Sequence, residues 1–93
     1  MAPTTSQVDS YLKRARELVM LGDIAGARLL LSRASEGKDS RALVAFAETY
    51  DPVVLRGWRV VGMRADPERA RALYQEALEA GNKTAGEHLL AMK

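Results

Sequence analysis

The residues that could carry chemistry are few and scattered. His88 is the single histidine, and the chain has no cysteine. One imidazole without thiolates, and without a second histidine in a His-Glu-x-x-His arrangement, cannot assemble a recognisable metal site. The sequence therefore predicts no metal and no cofactor, and puts His88 on the surface or in the packing near the edge of the last helix. Two acid pairs, Glu76/Glu79 and Asp66/Glu68, are spaced closely enough for acid–base work. The same spacing belongs to a solvated helix face and to a first helical turn, and no nucleophile–base–orienter set accompanies it. The chain is read as a non-enzyme. Gly22-Asp23-Ile24-Ala25-Gly26 superficially looks like a phosphate loop, but it lacks the Lys-Ser/Thr pair and a preceding strand. A helix–helix turn is the better reading.

Binding chemistry is better represented. Arg56, Arg59, Arg64, Arg69 and Arg71 crowd together around Trp58, the only tryptophan. Such a cluster can grip an acidic peptide, a phosphate or a nucleic-acid backbone. The competing reading is a solvated rim with Trp58 anchored in the core under the connector. Asp51, Asp66 and Glu68 dilute the patch, and a net charge of +2 is weak for a nucleic-acid binder. Nucleic acid is therefore the alternative partner rather than the first. Lys13, Arg14 and Arg16, with Leu12, Val19 and Met20, would let the first helix lie on an anionic membrane. The same apolar residues serve equally well as an internal face, which is the reading preferred here.

These side chains need a frame, and the periodicity supplies one. From Gly62 to Ala85, Ala70, Leu73, Tyr74, Ala77 and Leu78 share one face, while Glu68, Arg69, Arg71, Gln75, Glu76 and Glu79 fall elsewhere. A period near 3.6 marks a half-buried helix. Asp66 suits the N-cap, Pro67 the first helical position and Gly81 the exit. Similar signals place further helices at 7–21, with Ser6 and Asp9 as a capping box, and at 24–36, 40–50, 52–59 and 83–92. The inward faces are Tyr11, Ala15, Leu18 and Val19; then Ala27, Leu30, Leu31 and Ala34; then Ala42, Leu43, Phe46, Ala47 and Tyr50. No stretch alternates long enough to be a strand.

The helical design repeats. With Asp23 set over Asp66, an offset of 66 − 23 = 43 residues, Ala27 meets Ala70, Arg28 meets Arg71 and Leu30 meets Leu73. Ala34 then meets Ala77, Glu36 meets Glu79, Ala42 meets Ala85, and Phe46 falls on Leu89. Small residues meet small residues, as close helix packing requires. A period of this length indicates stacked helix pairs. The run Gly62-Met63-x-x-Asp66-x-x-x-Ala70-x-x-Leu73-Tyr74-x-x-Ala77-x-x-x-Gly81-x-x-x-Ala85 resembles the Sel-one-like repeat, a branch of the tetratricopeptide superfamily. The first unit (Gly22, Asp23, Ala27, Leu31, Ala34), preceded by Tyr11, Ala15 and Leu18, is closer to a plain tetratricopeptide unit. The resemblance spans roughly 11–92, and the 51–65 segment is longer than the usual family loop.

The resemblance implies an all-α right-handed superhelical repeat solenoid: two helix-pair units, about 7–37 and 39–81, and a capping helix at about 82–93. It also implies protein–protein scaffolding without chemistry of its own, with a peptide or partner surface bound in the groove lined by the first helix of each pair. On those helices the core assignment leaves Lys13, Arg16, Arg41, Val44, Glu48 and Glu87 for a partner; Arg56, Trp58 and Arg59 on the connector are second candidates. A purely structural, self-associating repeat block is the third reading, and a weak homodimer through the last helix is expected.

Length and composition bound the rest. The 93 residues make one domain, with residues 1–6 expected to be disordered. Hydrophobic residues make up 47% but aromatic residues only 5%, so the core must be Ala, Leu and Val, which suits close helix packing. No apolar run reaches the roughly 18 residues of a membrane span. The MAPTTSQ start lacks a basic segment followed by an apolar one. A cytoplasmic location is the default expectation, and a periplasmic one follows if the chain is cut from a larger exported or anchored protein.

Overall fold

In a computed structural model, which describes residues 1–93, an Asp, Asn or Thr stands immediately before every α-helix and caps it. Six α-helices follow in order: α1 (Thr5–Met20), α2 (Ile24–Ala34), α3 (Ser40–Glu48), α4 (Pro52–Gly57), α5 (Pro67–Glu79) and α6 (Lys83–Ala91). A single 3-10 turn, Ser35–Gly37, extends α2, and there is no strand. Asp23, Asp39, Asp51, Asp66 and Asn82 accept hydrogen bonds from backbone N–H groups of the first turns they precede. These groups would otherwise lack partners.

The first helix starts earlier than its sequence suggests. The capping box is Thr4 with Gln7, not Ser6 with Asp9: Gln7 N–H donates to Thr4 Oγ1 at 3.1 Å, and Thr4 N–H donates to Gln7 Oε1 at 2.8 Å. Glutamine reaches back to the cap where the shorter aspartate does not. Thr5 and Ser6, expected in a disordered tail, are therefore helical.

α1 packs on α2, α3 on α5, and α5 on α6, with lighter contacts from α3 to α2 and α1. Two apolar clusters result. Val8, Leu12, Ala15, Ala27, Leu31, Ala34, Ala42 and Phe46 form the first; Leu43, Val44, Ala47, Ala70, Tyr74, Ala77 and Ala85 form the second. Helix α3 feeds both. Several inward assignments shift. On α1 the core residues are Val8, Leu12 and Ala15, while Tyr11, Leu18 and Val19 pack only at the edge. Leu30, Leu73 and Leu89 are half-buried and Leu78 is exposed. The core alanines are buried, and these leucines beside them sit at the margins of the buried stripe.

Several residues 43 positions apart share burial or a capping role. Ala27 and Ala70, Ala34 and Ala77, and Ala42 and Ala85 are all fully buried. Asp23 and Asp66 both cap helices. Asp39 and Asn82, one offset apart, cap α3 and α6. Lys38 and Gly81, also one offset apart, both take left-handed backbone conformations, at φ 61° and φ 95°.

Residues 51–65 leave and rejoin the helices at one point, because Asp66 N–H donates to Tyr50 O at 2.8 Å. Arg28 reaches across from α2 to hold both ends. Its Nη2 donates to Thr49 O and, at 2.9 Å, to Arg64 O, and its guanidinium lies 4.0 Å from the centre of the Tyr50 ring. Partial burial lowers its pKa. Residues 51–65 therefore leave and return without separating α3 from α5.

Candidate functional site

A cavity of about 400 Å³ opens between α1 and α3. Leu12, Ala15 and Val19 of α1, Leu31 of α2, Val44 and Ala45 of α3, and Trp58 at the end of α4 form its apolar lining. Arg16, Arg41, Glu48 and Thr49 supply the polar atoms. Periodicity places Arg16 and Arg41 one helical step beyond the buried residues of their helices, so they arrive at the rim rather than the floor.

Five of the nine residues proposed for a partner meet here: Arg16, Arg41, Val44, Glu48 and Trp58. Four do not. Lys13 and Glu87 are exposed on α1 and α6, and Arg56 is exposed on α4. Arg59 lines a neighbouring cavity of about 300 Å³, which shares Val19 and Trp58 with the first. Val44, expected to stand free of the core, belongs to the second apolar cluster and shows only 9% of its surface. Trp58, expected to anchor the core, is 38% exposed.

The charges in the groove are not equivalent. Arg41 Nη1 donates to Asp9 Oδ1 at 2.7 Å, and Nη2 donates to Asp39 Oδ2 at 3.1 Å. These bonds raise the Arg41 pKa further and hold the Asp39 carboxyl below its ordinary value. Arg41 therefore ties α3 to α1. Glu48 lies 3.3 Å from His88 Nε2 on α6. Burial pushes its pKa up, opposed by the nearby imidazole. Arg16 has no carboxylate partner. Of the two arginines lining the groove, it is the one without an ion pair.

The arginine cluster does not converge. Arg69 lies over Phe46 and Tyr50, with its guanidinium 5.4 and 5.1 Å from their ring centres. Arg71 projects from the exposed side of α5, and Arg56 and Arg59 stand at the far end of α4. Aromatic rings engage Arg69, while Arg56 lies in α4 and Arg59 just after it.

A polar cluster escaped the sequence reading. Tyr74 Oη donates to Asp51 Oδ2 at 2.7 Å, and both side chains are fully buried. The other oxygen of Asp51 accepts from Val53 N–H at 2.8 Å. His88 stacks on Tyr74 with ring centres 4.8 Å apart and planes at 12°. Burial, and then the bond to Asp51, raise the Tyr74 pKa. Asp51-Pro52 signalled only a cap; the available clue was a tyrosine on the buried face of α5, whose hydroxyl must find an interior partner.

No family model, curated protein or solved structure matches the chain. The class is defined by the geometry alone: an all-α protein of six helices with a largely apolar groove between α1 and α3.

Proposed function

We propose that this chain is a tetratricopeptide-like helical-repeat module that binds a peptide or a partner surface. Two helix pairs, α1–α2 and α3–α5, form a right-handed stack, and α6 caps it. The ligand lies in the groove between α1 and α3, the first helices of the two pairs. Its apolar side chains rest on Leu12, Val19, Val44 and Trp58, and a carboxylate meets Arg16. The observation that carries this reading is the groove itself: an apolar floor of about 400 Å³ with a single unpaired cation at its rim. The recurrence of buried alanines and caps at a 43-residue offset supports the repeat assignment. Recognition in a groove of this kind rests on apolar anchors with a few placed polar contacts.

The test is retention of proteins from native extract, with nuclease, at low and moderate salt, by the chain and by its Arg16→Glu and Trp58→Ala variants. Both positions are exposed enough for the fold to tolerate the change. Proteins retained by the parent and lost by both variants are the expected result. Retention unchanged by both variants defeats the groove assignment, and loss of every partner on nuclease treatment points to nucleic acid instead.

A further inference from the structure

We infer that one end of the molecule, built from the last residues of α1 and the loop after α4, docks on an anionic lipid surface. Met20, Leu21 and Val61 expose 86%, 76% and 93% of their surface, and Trp58 beside them exposes 38%. They belong to segments far apart in sequence that border the same shallow cavity of about 300 Å³. Soluble surfaces carry single exposed aliphatic residues routinely, but a cluster at one end calls for a partner.

Shape and charge together select the partner. Side chains exposed to this degree project from the surface. A fluid acyl boundary accommodates projecting groups without matching pockets, whereas a folded protein partner must supply such pockets. The flanking Arg56 and Arg59 have no carboxylate partner. No acidic residue lines this cavity. A second copy of the chain would set the same arginines against each other, which like charge disfavours. An anionic bilayer instead offers phosphates to the arginines, the headgroup layer to Trp58 and the acyl edge to the aliphatic tips. No helix is long and apolar enough to cross a membrane, so the association is peripheral. It does not use the α1 face as a whole, because Leu12 is buried in the first core cluster.

Trp58 is the only tryptophan, so its emission in the intact chain reports on this end directly. The chain is titrated with vesicles of phosphatidylcholine alone and of phosphatidylcholine with phosphatidylserine, at low and moderate salt, with sedimentation in parallel. A blue shift and co-sedimentation confined to the phosphatidylserine vesicles, weakening with salt, are expected. Val61→Asp and the double variant Arg56→Glu/Arg59→Glu each weaken binding by about tenfold or more, from lost insertion and lost charge attraction respectively. Circular dichroism of both variants should match the parent, since all three positions are exposed. Absence of shift and sedimentation at low salt overturns the inference. So does equal binding to neutral vesicles, a shift that depends on protein concentration alone, or a shift with a soluble polyglutamate peptide but not with vesicles.

Discussion

The α2–α3 pair and the α5–α6 pair place alanines at the same steps, Ala27, Ala34 and Ala42 against Ala70, Ala77 and Ala85, yet are closed by different chemistry. In the first pair the position after the shared leucine is Leu31, an aliphatic side chain buried in the first core cluster. In the second it is Tyr74, whose hydroxyl is bound to the buried Asp51. Helix α3 contributes to both clusters and buries five residues, whereas α6 buries only Ala85. Small residues set how closely two helices approach; the large residue between them decides what else is drawn in. Through Tyr74, the second pair ties down the start of the connector as well as its own helix partner.

The comparison breaks most sharply at the alanines. Ala34→Leu and Ala77→Leu should each destabilise the fold by about 1–3 kcal/mol, because a fully buried small residue leaves no room for three extra carbons. Urea melts of the two variants should shift alike. A neutral result for one of them would show that the two pairs do not share the same close approach.

The polar tie should distinguish the pairs. Tyr74→Phe removes the donor from a buried carboxylate and should cost about 1–3 kcal/mol. Adding Asp51→Asn retains a capping side chain while removing the charge, so the double variant should lose less than the sum of the two single changes. Strict additivity would mean that Tyr74 and Asp51 are not coupled.

The paired left-handed positions sharpen the comparison further. Gly81→Ala should cost about 1 kcal/mol, since an L side chain is strained there. Lys38→Gly should stabilise by about 0.5–1 kcal/mol, less any small loss of the exposed Lys38–Glu76 pair. Thermal midpoints moving in opposite directions would bear this out, and a drop in both would not.

The smallest effect lies in pH. Burial raises Glu48 above its ordinary 4.5, so the folded chain holds that proton more tightly than the unfolded one. Its contribution is complete below the unfolded pKa and is lost as pH rises through the folded value. Glu48→Gln should therefore remove a decline in stability just above pH 4.5. Melts across the weakly acidic range would reveal it, and an unchanged pH profile would place the titration elsewhere.

Local rules accounted for much of this molecule. A capping side chain, a proline at the first helical position and a glycine at the exit act within one helical turn, so Asp66, Pro67 and Gly81 mark α5 in sequence and in space. The period of 3.6 found the buried alanines because their burial follows from the side of the helix they occupy. The same rules missed the start of α1, where two overlapping boxes competed, and misjudged leucines at the edge of the buried stripe. Of the groove, Arg16, Arg41, Val44, Glu48 and Trp58 were legible as positions. Their roles were not.

Those roles depend on groups distant in sequence. Arg41 is engaged by Asp9, Glu48 by His88, Tyr74 by Asp51, and Arg28 by the carbonyls of Thr49 and Arg64. Residue type and spacing determined an all-helical chain, its caps, its turns and its ladder of small residues, since those depend on neighbours along one helix. Only the tertiary structure decided which charges are paired within the fold and which, like those of Arg16, Arg56 and Arg59, are left without a carboxylate, because pairing across helices depends on distances that no local pattern encodes.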